Sequence, residues 1–167
     1  AWDLIKPGID PLSPANVIIL GAGPLVGTMA PGAVRTLGTT KYPLTGAIAS
    51  GAGSMSFGYE LKQAGYDNLV ITGKADRPVY LRIENESVEL LPADHLWGKG
   101  MHEATSQIWQ EHGHDGVIAI GQAGERQVSF ALAFVDQVGT IGRGGLAAVM
   151  GSKNLKAVAV KGSRGVR

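Results

Sequence analysis

FGYELKQAGYDNLVITG, residues 57–73, decides how this chain is read. It runs from a small-residue loop into a short helical stretch. Phe57, Leu61 and Ala64 fall on one face at helical spacing. Gly65 is placed to end the helix as its C′ residue, and 69–72 is a β-run stopped by Gly73. LAAVMGSKNLKAVAVKG, residues 146–162, repeats the same order at the same length, 89 positions on. Leu69-Val70-Ile71 aligns with Val158-Ala159-Val160, and Gly73 with Gly162. Each copy follows a glycine-rich loop, 45–56 and 139–145. Each loop follows a β-run, 34–40 and 127–135. The pattern predicts a duplicated β-loop-α-β unit with pseudo-two-fold symmetry.

Outward from the repeat, 17–20 and 117–120 read as short buried strands. The alternating runs 79–83 and 87–91 flank Glu84-Asn85-Glu86 as a hairpin. Met101, Ala104, Thr105, Ile108, Trp109 and His112 mark an amphipathic helix over 101–112. Residues 146–150 form a helical turn, and 157–161 a last strand. Strands and helices mix without a regular βαβ rhythm, so the expected class is α+β with mainly antiparallel sheet.

Composition narrows the function. Of 167 residues, 25 are glycine, against roughly 12 at ordinary usage. There is no cysteine, so this chain supplies no disulfide, thiolate metal site, thiol nucleophile or iron–sulfur ligand. Fifteen Lys+Arg against fourteen Asp+Glu give a net charge of +1, without the basic excess of a nucleic-acid binder. The basic stretch 161–167 reads as a solvated end. No apolar run approaches the ~20 residues of a membrane span, and no signal-peptide pattern opens the chain. Ala1-Trp2-Asp3-Leu4 has no initiator Met and reads as the interior of a longer or processed chain.

Gly21-Ala-Gly23-Pro-Leu-Val-Gly27 misses the dinucleotide fingerprint. Its third glycine is one place late, Pro31-Gly32 breaks the following helix, and no acid stands near 41–46. Gly151-Ser152-Lys153 likewise lacks the P-loop order. Arg143 within Gly142-Arg143-Gly144-Gly145 is the stronger signal. Glycines let backbone approach an anion, and the guanidinium is a bidentate donor. Arg35 stands at the matching edge of the first unit, so two glycine loops with one Arg each could cradle two phosphates. Read singly, each is a surface arginine. His112 and His114 have metal-compatible spacing but no third ligand, and read as solvated. His95 and His102 read as packing or capping residues. Asp136, before the glycine loop 139–145, reads as a structural hydrogen-bonding acid.

A set of motifs in order across about residues 9–162 resembles the N-terminal domain of tungsten-containing aldehyde ferredoxin oxidoreductases. They are Asp10-Pro-Leu-Ser-Pro14, Gly23-Pro-Leu-Val-Gly-Thr28, Pro43-Leu-Thr-Gly46, Ala64-Gly-Tyr-Asp67, His95-Leu-Trp-Gly98 and Gly142-Arg-Gly-Gly145 through Val149-Met-Gly-Ser-Lys-Asn-Leu-Lys-Ala157. The resemblance implies that the whole chain, 1–167, is a tungstopterin-binding domain made of two similar halves. It implies a bis-pterin tungsten, or molybdenum, cofactor contacted at Arg35, Ser54, Gly142 and Arg143. It also implies a magnesium ion bridging the pterin phosphates, held by the main-chain carbonyls of Ala52 and Thr140. The full enzyme would oxidise aldehydes to carboxylates in the cytoplasm of an anaerobe. It would pass electrons through a [4Fe–4S] cluster, held by other domains, to ferredoxin or an electron-transfer subunit. A homo-oligomer or a subunit of a complex is expected, with no nucleic-acid or membrane partner. Relatives include catalytic subunits of benzoyl-CoA reductases. A non-catalytic cofactor-binding or assembly module is the other reading. Two departures motivate it: Ser54-Met55 replaces a glycine pair, and Gly139 replaces an arginine.

Overall fold

In a computed structural model, Ala1 and residues 3–166 are described; Trp2 and Arg167 lie outside the described residues. Two sheets face each other. The first, in the order β3-β2-β1-β4, is built from β1 (Ile18–Ala22), β2 (Thr36–Lys41), β3 (Ile48–Gly53) and β4 (Asn68–Ile71). The helix α1 (Phe57–Gln63) connects β3 to β4. The second sheet runs β6-β5-β10-β7-β8-β9. Its members are β5 (Val79–Glu84), β6 (Ser87–Pro92), β7 (Gly116–Ile120), β8 (Ala133–Val135), β9 (Gly139–Ile141) and β10 (Leu155–Lys161). Helices α2 (Met101–His112), α3 (Gln122–Glu125) and α4 (Leu146–Ser152) complete the chain. The fold is α+β, and β10 with β5 is the parallel pair among antiparallel ones.

The duplication is larger than the 17-residue echo. The segment β1-β2-β3-α1-β4 and the segment β7-β8-β9-α4-β10 have the same strand order and directions. Register makes the equivalence exact residue by residue. Ile19 pairs with Val70 in the first unit, and Val117 with Ala159 in the second. Leu37 pairs with Ala52, and Phe134 with Thr140. Between the copies lie the β5–β6 hairpin and α2.

Each short helix is dictated locally. In α1, Phe57 and Leu61 are fully buried, each contributing about 1.5–3 kcal/mol by leaving water. Gly65 takes φ +100°, its N–H donates to the Lys62 carbonyl, and the Tyr66 N–H donates to the Leu61 carbonyl. That is the double bond of a Schellman cap. In α4 every residue is buried, so it sits in the core with no polar face. Ile18, Leu20, Phe57, Ile118, Ile141 and Leu146 fill the space between the sheets. A second core lies on the outer face of the second sheet, where Ile108 of α2 meets Tyr80, Val117 and Ala159.

Three expectations need correction. Residues 45–56 and 139–145 are not loops throughout, because they contain β3 and β9. Glycine has low strand propensity because it brings no side chain to pack. Here that lack is what the sandwich needs. A Cβ at Gly38 would lie 2.7 Å from Leu146, one at Gly51 2.9 Å from Ile141, and one at Gly53 2.8 Å from Val135. Residues 127–132 are not strand; β8 begins at Ala133, after the extra helix α3. The Val128 N–H donates to the Ala123 carbonyl and the Ala131 N–H to the Val128 carbonyl, which commits this stretch to turns.

Candidate functional site

The outer strands β3 and β9 of the two sheets lie against each other. A Cβ at Gly53 would stand 3.4 Å from the Thr140 carbonyl oxygen, one at Gly51 3.6 Å from that of Arg143, and one at Gly139 2.6 Å from that of Ser54. The strands therefore run antiparallel along a seam on the pseudo-two-fold. Ala52 and Thr140 are equivalent positions on it, since their partners Leu37 and Phe134 are themselves equivalent. Loops 54–56 and 142–145 leave the two ends of the seam and enter α1 and α4.

Five of the six residues singled out from sequence, Ala52, Ser54, Thr140, Gly142 and Arg143, thus lie on the seam strands or directly after them. Arg35 precedes β2 by one residue, and Thr36 pairs with Gly53, so Arg35 stands beside the same seam. Arg35, Thr140 and Arg143 are exposed. Neither arginine makes an ion pair among the described residues, whereas Arg82 pairs with Asp115 and Glu84 and Arg164 with Glu86. Arg35 and Arg143 are not repeat mates: register places Leu132 opposite the role of Arg35, and loop 142–145 is longer than 54–56.

Asp136 organises the seam. Its Oδ2 accepts from the Ser56 N–H at 2.6 Å and the Ser56 hydroxyl at 2.8 Å, and its Oδ1 accepts from the Val117 N–H at 2.7 Å. One carboxylate thereby fixes the loop of the first unit to a strand of the second. Met55, in that loop, takes φ +92°, a left-handed conformation that favours glycine.

Beside Arg35 a hollow of about 280 Å³ is walled by Leu25, Val34 and Leu37. A second, of about 240 Å³, is lined by Thr28, Met55, Ser56 and Tyr59. A larger cavity, about 580 Å³, lies away from the seam around Lys62, Tyr66 and Arg164. It contains none of the six residues.

The titratable groups elsewhere serve the scaffold. Lys153 is buried and donates to the carbonyls of Pro14 and Gly73 at 3.0 and 2.8 Å; burial pulls its ammonium down to about 8. Lys156 is fully buried, pairs with Glu125 and donates to the Lys99 carbonyl. Burial lowers its pKa while Glu125 opposes the shift. Tyr80 hydrogen-bonds His112 at 2.9 Å and Glu111 at 3.2 Å. Burial and then the Glu111 charge push its phenol up to about 12. His95 contacts Glu111, His102 packs on Phe134 and His114 on Trp109. Among the described residues no three His, Cys, Asp or Glu side chains are grouped to hold a metal. No helix there is long and apolar enough to cross a membrane. The scaffold lysines were missed from sequence; GSKN at 151–154 offered only an absence of P-loop order.

The sequence model for the aldehyde ferredoxin oxidoreductase N-terminal domain matches residues 1–162. This chain belongs to that family. It is 50% identical over 164 residues to the tungsten-containing aldehyde ferredoxin oxidoreductase of Pyrococcus furiosus, covering 97% of this chain and 27% of that protein. It is 40% identical over 169 residues to the aliphatic sulfonate oxidoreductase, WOR-like subunit, of the same organism, covering 93% of this chain and 27% of that one. Its fold matches a chain of the active site complex BamBC of benzoyl coenzyme A reductase, solved with 1,5-dienoyl-CoA. The TM-score is 0.96 at 41% identity, over 99% of this chain and 25% of the other. The chain thus spans about a quarter of the length of these family members.

Proposed function

We propose that the β3–β9 seam binds the bis-pterin tungsten, or molybdenum, cofactor of an oxidoreductase that converts aldehydes to carboxylates with ferredoxin as electron acceptor. Gly142 carries this reading. A Cβ there would meet nothing within 4 Å, and its φ lies outside the left-handed range. The protein's own packing thus gives no reason for glycine at this exposed end of the seam, whereas a ligand seated on the backbone does. The donor set fits the anionic arms of such a group. Arg143 follows Gly142, Arg35 stands beside Ser54, and neither guanidinium is neutralised by a carboxylate among the described residues. Hydrogen bonds from arginine to phosphate are charge-assisted and about twice as strong as neutral ones.

In this role Arg35 and Arg143 bind and orient phosphate, Ser54 adds a hydroxyl, and the carbonyls of Ala52 and Thr140 are equivalent oxygen donors suited to a hard cation such as magnesium. Asp136 keeps the Ser54–Ser56 loop in place. The bound metal would supply the redox chemistry. A [4Fe–4S] cluster, which needs cysteines this chain lacks, belongs to other domains of the same enzyme. The likeness to the benzoyl coenzyme A reductase complex supports a second reading, the equivalent domain of that enzyme type, with the same seam.

Metal analysis of the natural-length protein, purified without oxygen, tests the site. Arg143→Ala and Gly142→Ala should each lower tungsten plus molybdenum per protomer by at least half, while the unfolding midpoint of the apoprotein stays within about 2 °C. Absence of both metals from the unaltered protein, or full occupancy in Arg143→Ala, overturns the assignment.

A further inference from the structure

Met55 is a residue of the seam whose side chain the fold does not explain. It takes φ +92°, a left-handed backbone that glycine adopts freely and a long side chain adopts at a cost. The repeat shows what the position asks for. Counted back from the equivalent helices α1 and α4, Met55 falls at Gly144, which takes φ +94°. The second copy meets this conformation with glycine, where a Cβ would stand 2.6 Å from the Tyr42 ring. The first copy meets it with a long apolar side chain.

Core packing does not account for that side chain. Met55 is 38% exposed and is packed against neither core. Its seat is the bare face of Gly139. A Cβ there would stand 3.1 Å from the Met55 Cγ and 2.6 Å from the Ser54 carbonyl oxygen. The β8–β9 turn therefore grips residues 54–56 twice: Asp136 takes Ser56, and Gly139 takes Ser54 and Met55. A strained backbone held from several sides is characteristic of ligand clamps.

The charges around Met55 point the same way. Its side chain lines the hollow of about 240 Å³ with Thr28, Val34, Ser56 and Tyr59, and no charged side chain lines that hollow among the described residues. Arg35 lines the neighbouring hollow of about 280 Å³, and Arg143 stands at the far end of the seam. Cations thus flank the space beside Met55 without entering it. That space suits a neutral, planar part of a ligand whose anionic arms reach the two arginines.

We propose that Met55 is a specificity-determining residue of the seam: its thioether bears on the face of a planar heterocyclic ring in the bound group, while Arg35 and Arg143 hold the anionic arms. This rests on the reading of the seam as a pterin-cofactor site. A polarisable, unbranched sulfur side chain makes favourable contacts with aromatic rings and adapts to irregular gaps. Pinning its backbone through Gly139 and Asp136 fixes where the sulfur is presented. The first-unit end of the seam is then a ring site, where the second-unit end is a phosphate site.

The test is the pterin content of the natural-length protein, purified without oxygen, in Met55→Gly and Met55→Gln beside Arg143→Ala. Glycine removes the side chain and relieves the left-handed backbone. Glutamine keeps the length and puts an amide in place of the thioether. Pterin per protomer is read by fluorescence after oxidative release, and the urea midpoint of each apoprotein is measured with it. Both Met55 variants should lose at least half of the pterin, with the Met55→Gly midpoint at or above that of Met55→Gln. A purely structural Met55 would lose pterin only in step with stability. Retention of more than half of the pterin in either variant, or a Met55→Gly apoprotein that unfolds at lower urea than Met55→Gln, overturns the proposal. Depletion of Arg143→Ala in that same experiment leaves the seam reading standing without it. Absence of pterin from the unaltered protein overturns both.

Discussion

Replacing Asp136 by Asn should cost about 2–3 kcal/mol, although the change removes no more than a charge. Asp136 sits at φ +50°, which Asn tolerates as well as Asp, so the backbone is not perturbed. The side chain is 7% exposed and receives three hydrogen bonds at 2.6–2.8 Å, two from Ser56 and one from Val117. Hydrogen bonds to a charged group contribute about 1.5–3 kcal/mol each. An amide has one oxygen for these donors. Whichever way it turns, its NH2 faces an N–H that previously met an oxygen. At least one bond is lost and another is weakened by removal of the charge. Asp136→Ala would lose all three bonds and place Ala at positive φ, for about 3–5 kcal/mol. Against a total stability of about 5–15 kcal/mol, either is severe. Urea unfolding monitored by tryptophan fluorescence reads the difference. Ser56→Ala alone should cost about 1.5–2 kcal/mol, and much less in the Asp136→Asn background, because the two act through one contact. A loss under about 1 kcal/mol in Asp136→Asn, or full additivity with Ser56→Ala, would refute the clamp.

Gly151→Ala should fail to fold or lose more than about 3 kcal/mol, because its Cβ would collide with the Gly124 carbonyl where α3 meets α4. Gly100→Ala, with open space around it, is the matched control in the same melting assay. Stability should rise between pH 8 and 10. Folded Lys153 loses its proton near 8 while the unfolded side chain keeps it to its ordinary value, so the unfolded state holds more protons in that window. The limit of the gain is about 3 kcal/mol, and urea midpoints that fall steadily from pH 7.5 to 9.5 would contradict it. Glu125→Gln should cost about 3 kcal/mol or more by thermal melting, since it strands the buried Lys156 ammonium. A loss below about 1 kcal/mol would show that Lys156 is already neutral.

Much of this architecture was legible because two signals were redundant. The helical spacing of Phe57, Leu61 and Ala64 and the β-run after Gly65 recur at 146–162, and each copy supports the other. The amphipathic stretch 101–112 was equally plain, since one face alone meets a sheet. The seam strands were not legible. Propensity assigns Gly51, Gly53 and Gly139 to loops, and only the opposing side chains Ile141, Val135 and Met55 explain why a strand there must be bare. The extent of the repeat was hidden for a related reason: β1 and β7 share little beyond short apolar runs, and their equivalence is a matter of pairing. Of the site, Gly142-Arg143 stood out as a local pattern. Asp136 was legible as a structural hydrogen-bonding acid, and it accepts three hydrogen bonds, but its partners Ser56 and Val117 were not, because they are distant in sequence.

The loops that leave the seam are unequal, 54–56 on one side and 142–145 on the other. Two-fold symmetry of the strands therefore stops at the point where side chains begin to reach outward, with Arg143 on one flank and no repeat mate for it on the other. A ligand made of two like halves would look the same to the seam after a half-turn, but once seated its two ends would meet different surroundings, only one of them beside Arg143. The domain would act as a polariser: it would take in an object with two equivalent ends and return it with a head and a tail.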